Sequence, residues 1–193
     1  MTAAASKSDL RRQLRHDRAA IPSGDAQIAA INAARFLLCS RWLRQARHIA
    51  AYLDAGSELQ TTPLIEALLA LGKQVYVPKV HGDRLRFVRL QTLTPLRRKA
   101  FGIDEPTTQR PQRSLRTMDL IVLPLVGFDE RGVRLGNGGG YYDRALSFPC
   151  AYCKPLLIGY GYARQRVPYI PADPWDTRLD AVVTEQGLFH FNR

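Results

Sequence analysis

"HIAAYLDAGSELQTTPLIEALLALGKQVYVPKV", residues 48–80, decides the fold class. "HIAAYL" (48–53) reads as a short buried strand and "KQVYVPKV" (73–80) as another. Between them "TTPLIEALLALG" (61–72) is a helix, with Pro63 in the first turn, where an N–H would have no partner, and Gly72 closing it. Strand, helix, strand is a βαβ unit, and its crossover is expected to be right-handed. Working outward, "RLRFVRL" (84–90) alternates basic and apolar residues as a half-exposed strand does, while "TPLRRKAFGIDEPTTQRPQRSLRT" (94–117) lacks periodicity and predicts an irregular surface connection. "MDLIVLPLVGF" (118–128) is a near-continuous apolar run, the mark of a central parallel strand. Downstream, "YYDRALSF" (141–148) predicts a helix, "PLLIGYGY" (155–162) and "LDAVVTE" (179–185) predict strands, and "VPYIPADPWDTR" (167–178) is a proline-stiffened loop.

Upstream, residues 6–20 place only Leu10 and Leu14 among charges, which predicts a mostly solvated helix ended by Pro22. A second helix is predicted over 25–39, with Ile28, Ile31, Ala34, Phe36 and Leu38 as its apolar face. The fold expected is α/β, a single domain over 1–193 with a mainly parallel sheet flanked by helices, in a Rossmann-like, open three-layer arrangement. In such sheets ligands bind beyond the carboxyl ends of the strands.

A chain of 193 residues with 46% hydrophobic content fills one well-buried domain and is short for two. No apolar run reaches the roughly 18 residues of a membrane span, and the start lacks the apolar middle of a secretory signal, so a cytoplasmic protein without membrane partners is expected. The three cysteines agree: Cys39 reads as a core residue on an apolar helix, and Cys150 and Cys153 form a lone C-x-x-C with no second pair and no histidines at ligand spacing. The net charge is +11, and 23 of the 28 basic residues are Arg, spread from Arg11 to Arg193. Such a surface suits a basic RNA-associated α/β protein without ATP turnover, or an enzyme that draws in a small polyanion; composition does not choose.

The chemistry concentrates in "RLGNGGGYYDRAL", residues 134–146. Glycines at 136, 138, 139 and 140 leave successive N–H groups bare and tolerate positive φ, so the loop can form a concave anion nest at the mouth of the following helix. Neither the P-loop pattern nor the dinucleotide fingerprint fits, because Tyr141 and Tyr142 stand where those motifs need Lys or Gly. Asp143 has two readings at this level: an acid in a first helical turn favoured by the macrodipole, or a ligand of a Mg²⁺ ion shared with phosphate.

Together "LIVLPLVGFDERGVRLGNGGGYYDRAL", "PWDTRLDAVVTE" and the early "KSDLRRQLR" closely resemble the 5-formyltetrahydrofolate cyclo-ligase family, in matching order from Lys7 to Glu185. The resemblance implies an ATP-dependent enzyme, working with Mg²⁺, that converts 5-formyltetrahydrofolate into 5,10-methenyltetrahydrofolate and releases ADP and phosphate. It implies that Arg134, Leu135, Gly136, Asn137, Gly138, Gly139, Gly140, Tyr141 and Tyr142 form the ATP phosphate loop, with Lys7 and Arg11 also reaching the nucleotide. It further implies Asp143 and Asp176 as metal ligands, Glu58 as the acid that grips the pterin, and Leu53, Asn137 and Tyr141 as folate-pocket lining. Arg134 and Tyr141 are the implied catalytic residues, in a protein expected to act as a monomer on ATP and folate, with no nucleic-acid partner. No Ser/His/Asp or Cys/His constellation accompanies them, and phosphoryl transfer requires none.

Overall fold

The apolar run beginning at Met118 does form the middle of the sheet in the computed structural model, which describes residues 6–82, 84–91, 94–98, 104–107, 112–147 and 155–191. In chain order the helices are α1 (Lys7–Ala19), α2 (Ser23–Leu38), α3 (Arg41–Gln45), α4 (Thr62–Ala70) and α5 (Tyr141–Leu146). The strands are β1 (His48–Ala50), β2 (Gln74–His81), β3 (Arg84–Arg89), β4 (Leu96–Arg98), β5 (Asp104–Pro106), β6 (Gln112–Arg113), β7 (Leu120–Pro124), β8 (Gly127–Phe128), β9 (Arg134–Leu135), β10 (Leu156–Tyr160), β11 (Ala181–Thr184) and β12 (Gly187–His190).

Among the described residues the main sheet runs β12-β11-β10-β7-β1-β2-β3-β6. Its five central strands, from β11 to β2, pair in parallel, and β12, β3 and β6 add antiparallel edges. On β7 side chains alternate between faces: Leu120 and Val122 join the core under α2 and α4, while Ile121 and Leu123 pack with Phe87, Leu157, Leu179 and Val182 on the other. Both faces are therefore dry, which is why this strand reads as an unbroken apolar run. The second face is covered by the short α5 and by loops carrying Leu115, Met118 and Leu179, so the helical layers are unequal. The start of β7 is tied to β1 by Asp119, whose carboxylate accepts from the N–H groups of Arg47 and His48 at 2.8 Å each.

Four expectations change. Helix α2 forms, but it buries Ala29, Ala30, Ala33, Ala34 and Leu37, leaving Ile28 and Ile31 60% and 51% exposed and Phe36 exposed too. The alanine face lets the helix come close enough to the sheet for the Tyr160 hydroxyl to donate to the Ala30 carbonyl at 3.1 Å. Cys39 caps α2 and is exposed rather than in the core, while Cys150 and Cys153 lie outside the described residues. The stretch 94–117 holds the paired strands β4 and β5 and the edge strand β6, and β12 was not foreseen. Finally, the apolar run does not continue as one strand to Phe128: Pro124, which lacks an N–H, ends β7, and Gly127 begins a separate hairpin of β8 with β9. A Cβ on Gly127 would stand 2.6 Å from Leu14 Cδ1, so this glycine is what lets α1 settle on the hairpin.

Helix α1 is mostly solvated, as expected, with Leu14 and Arg18 its buried residues, and docks on the hairpin through that face. Ser6 caps it, its side chain accepting from the Asp9 N–H at 3.2 Å, and Leu14 is buried with Val126, Val133, Leu135 and Ile170.

Candidate functional site

Just past the end of β1, in the second half of β2 and at the last residue of β7, Tyr52, Pro78 and Pro124 open into a cavity of about 1480 Å³. That is the carboxyl edge of the parallel strands, where this class of sheet holds ligands. Residues 134–140 form one wall, α1 a second, and the segment carrying Leu53 and Glu58 a third. The glycine loop does not spring directly from a central strand; it leaves the β8–β9 hairpin and turns into α5.

Individual glycines have individual reasons. Gly138 and Gly140 adopt positive φ (102° and 63°), which L side chains rarely tolerate, and Gly140 is the left-handed residue that starts α5. A Cβ on Gly136 would stand 3.1 Å from Arg134 Nη1, and one on Gly139 3.0 Å from the Tyr141 ring. Helix α1 fixes the loop's orientation: Arg11 Nε donates to the Gly136 carbonyl at 2.8 Å, and Arg15 Nη2 to the Asn137 carbonyl at 2.9 Å. Because a trans peptide sets C=O and N–H on opposite sides, those two bonds turn the N–H groups of Asn137 and Gly138 away from the arginines that hold the carbonyls.

Across the cleft, Asn137 Nδ2 donates to Glu58 Oε1 at 3.0 Å, joining the glycine loop to the acid expected to meet the pterin. Burial pushes the Glu58 carboxyl above the ordinary glutamate value; the bonds from Asn137 and the Ala55 N–H and the nearby Arg18 charge only partly offset it. Arg18 is itself buried, donating to Ser57 Oγ at 3.0 Å.

The two aspartates expected to hold metal both line the cavity, each engaged by a cation. Asp143 Oδ1 accepts from Arg134 Nη2 at 2.7 Å, and Asp176 Oδ2 accepts from Lys7 Nζ, which also meets Asp173 Oδ2 at 2.6 Å. Burial pulls the Lys7 ammonium down, but the hydrogen bonds and charges of Asp173 and Asp176 outweigh it and hold it above the ordinary lysine value. Among the described residues no three His, Cys, Asp or Glu side chains converge as a closed metal cage. Mg²⁺ does not need one, since it is commonly held by one or two carboxylates with phosphate oxygens completing the shell. A carboxylate has about four lone-pair sites, so two aspartates on the wall of an anion-binding cleft are a donor set that fits this ion.

Arg134 is buried, with its side chain only 4% exposed, and also donates from Nη1 to the Pro124 carbonyl at 3.2 Å. Its Nε and the Tyr142 hydroxyl are buried polar atoms without a protein partner among the described residues. Tyr141, by contrast, is exposed on the cleft wall beneath the Arg144 guanidinium, 5.0 Å from its ring centre.

Every residue singled out from the sequence lines this one cavity: Lys7, Arg11, Leu53, Glu58, Arg134 through Asp143, and Asp176. Arg15, Arg18, Asp173, Arg144 and Trp175 line it as well and were missed. A signal existed for two of them, because Lys7, Arg11, Arg15 and Arg18 recur at spacings of four, four and three, one face of a helix.

A parallel α/β sheet whose carboxyl edge sets a glycine loop against a ladder of cations is the architecture of an enzyme that handles a strongly anionic substrate. Residues 3–185 match the model of the 5-formyltetrahydrofolate cyclo-ligase family. The 5-formyltetrahydrofolate cyclo-ligase of Escherichia coli K12 is 38% identical over 150 residues, which cover 76% of this chain and 82% of that protein. The solution structure of Aquifex aeolicus 5,10-methenyltetrahydrofolate synthetase superposes with a TM-score of 0.84 at 30% identity, covering 97% of this chain and 93% of that one. A 5,10-methenyltetrahydrofolate synthetase from Mycoplasma pneumoniae follows at a TM-score of 0.74 and 26% identity, covering 94% and 99%. The chain belongs to the 5-formyltetrahydrofolate cyclo-ligase family and is an enzyme of the ligase class.

Proposed function

We propose that this cleft converts 5-formyltetrahydrofolate into 5,10-methenyltetrahydrofolate, with ATP as the phosphoryl donor. The observation that carries the reading is the meeting, in one cavity, of the glycine loop, the α1 cations and two aspartates opposite Glu58. A formamide is a poor electrophile because its nitrogen lone pair is delocalised into the carbonyl. Transfer of the γ-phosphoryl group to the formyl oxygen releases ADP and leaves an N5-iminium phosphate. N10 then attacks the formyl carbon and loses its proton; the carbon–oxygen bond breaks, and phosphate leaves with the formyl oxygen as the ring closes.

Chain residues need only position and neutralise. The N–H groups of the loop and the cations Lys7 and Arg11 receive the phosphates, and Glu58 orients the pterin through its N–H groups. Leu53, Asn137 and Tyr141 confine the folate. Arg134, held by Pro124 and Asp143, fixes the loop and aims the Asp143 carboxylate. Asp143 and Asp176 would hold Mg²⁺, which supplies charge neutralisation between the phosphates. The protein is proposed to act as a monomer in the cytoplasm; no helix among the described residues is long and apolar enough to cross a membrane.

The decisive assay follows the methenyl absorbance and released phosphate together. Both are expected to require ATP and 5-formyltetrahydrofolate, with phosphate release near background when the folate is omitted. Comparable phosphate release without folate would make the protein a nucleotide hydrolase.

Glu58→Gln separates a substrate group from a structural one. Since the folded-state carboxyl is raised, Glu58 favours the fold below the unfolded pKa of about 4.3, and that contribution is lost as pH rises through the raised folded value. The amide keeps the shape and removes the buried charge, whose desolvation outweighs the one hydrogen bond lost, since a single amide oxygen can accept from Asn137 Nδ2 or the Ala55 N–H but not both. The variant is therefore expected to melt a few degrees above the wild type at pH 7 and above, with the gap closing in acid, while the KM for folate rises. A variant that melts lower at pH 8 would place Glu58 among the fold's own contacts.

A further inference from the structure

Helix α1 orders the cleft along its length. Lys7 meets Asp173 and Asp176, Arg11 the Gly136 carbonyl, Arg15 the Asn137 carbonyl, and Arg18 the Ser57 hydroxyl beside Glu58. At 1.5 Å per residue, about 16 Å of helix separates the first of these stations from the last. The turn at the Lys7 end carries Trp175, which lines the cavity and is 71% exposed. A single exposed apolar residue is ordinary on a protein surface, but this indole stands on a stapled turn. Pro174 fixes its own φ, the Asp176 N–H donates to the Asp173 carbonyl at 3.0 Å, the Asp173 N–H donates to Asp176 Oδ2 at 2.8 Å, and the Lys7 ammonium bridges the two carboxylates.

On the reading of the cleft given above, two substrates share this space. The cavity, about 1480 Å³, is larger than the roughly 300–1,000 Å³ of a site for one small ligand. With the pterin against Glu58, the γ-phosphoryl group has to reach the formyl oxygen from the glycine loop. ATP carries that phosphoryl group at one end and its base at the other, so the base points away from Glu58, toward the opposite end of α1, where Trp175 stands. An aromatic face is what a flat, uncharged purine needs there: it covers the ring without pairing the edge atoms, which stay in water. The turn is held in place before any ligand arrives, so little backbone ordering opposes the contact. We infer that Trp175 stacks on the adenine base of ATP and holds the nucleoside end of the substrate.

The test follows indole emission while the protein is titrated with ATP and, separately, with inorganic tripolyphosphate, which has the charges but no base. The chain has two tryptophans, and Trp42 packs against His190 at a ring-centre distance of 4.6 Å, so Trp175→Phe leaves only that indole. ATP is expected to quench the wild-type emission saturably and to cause no quench in Trp175→Phe, while tripolyphosphate competes with ATP and leaves the emission nearly unchanged. In steady-state assays Trp175→Ala is expected to raise the KM for ATP about tenfold, the scale of one base–aromatic stack. Its kcat, its KM for the folate and its inhibition by tripolyphosphate should stay within about twofold of wild type, and Trp175→Phe should keep most of the affinity for ATP. Because the side chain is exposed, both variants should melt with the wild type. A Trp175→Ala variant with the wild-type KM for ATP, an equal loss of ATP and tripolyphosphate, or a quench that tripolyphosphate reproduces overturns the assignment. A wild type that shows the ATP quench but does not cyclise 5-formyltetrahydrofolate overturns the reading of the cleft instead.

Discussion

Asp143→Asn is expected to lower kcat/KM about a hundredfold or more at limiting Mg²⁺, the scale of losing a group that neutralises transferring phosphate. The amide retains the volume and an oxygen that can accept from Arg134 Nη2, now 2.7 Å away, so the loop should keep its course. Breaking a buried ion pair outright costs about 3–5 kcal/mol because it strands a charge. Here the Asp143 side chain is 25% exposed and the substituted group still accepts a hydrogen bond, so the loss should be nearer 1–2 kcal/mol, a few degrees of melting temperature. Asp143→Ala removes the acceptor too and should melt well below the amide variant. Initial rates across a magnesium titration, set beside thermal melts, check the assignment: the amide variant should need far more Mg²⁺ to reach its own maximum. If its magnesium dependence matches the wild type, Asp143 serves only to brace Arg134.

The parts legible from the sequence were those written locally. Residues 118–124 announce a central strand because both faces are buried, and 48–80 announce a parallel pair because the helix between is bounded by Pro63 and Gly72. The face of α2 was misread because periodicity was counted on large apolar residues. Close packing of a helix on a sheet selected the alanines, and Ile28, Ile31 and Phe36 were left outside. Edge strand β12 escaped notice since Gly187, Leu188 and Phe189 are only half-buried and show no alternation. In the cleft, the glycine loop and its acid carried their chemistry in adjacent residues. Asp173 did not, because its role arises from the approach of Lys7, 166 residues away in sequence. The net charge, ambiguous as composition, gains a location in the structure: the α1 cations face the glycine loop, and five arginines line a second cavity beside the cleft.

The double change Lys7→Ala, Arg11→Ala tests whether α1 is part of the chemistry or a strut that closes the cleft. Its protein contacts are modest in energy. Lys7 pairs with Asp173 and Asp176 at a partly exposed site, where such pairs contribute about 0.2–1 kcal/mol each, and Arg11 makes one bond to the Gly136 carbonyl. The helix also keeps Leu14 buried against Val126 and Leu135, so the variant should remain folded and melt only a few degrees lower. Contacts to ATP phosphates are a different matter, since each charge-assisted bond in a partly desolvated site is worth roughly 1.5–3 kcal/mol. Two of them lost together should reduce kcat/KM for ATP about a hundredfold or more, while KM for the folate changes little. Lys7, held above the ordinary lysine value by its two carboxylates, is charged throughout the neutral range, so the loss should not vary between pH 6 and 8. The single changes sort the roles: Lys7→Ala also frees Asp173 and Asp176 from their ammonium and should alter magnesium dependence, whereas Arg11→Ala, which also releases the Gly136 carbonyl, should lower nucleotide affinity and leave magnesium dependence unchanged. A folded double variant with unchanged kcat/KM for ATP would make α1 a structural strut and leave the loop N–H groups and the metal to hold the phosphates.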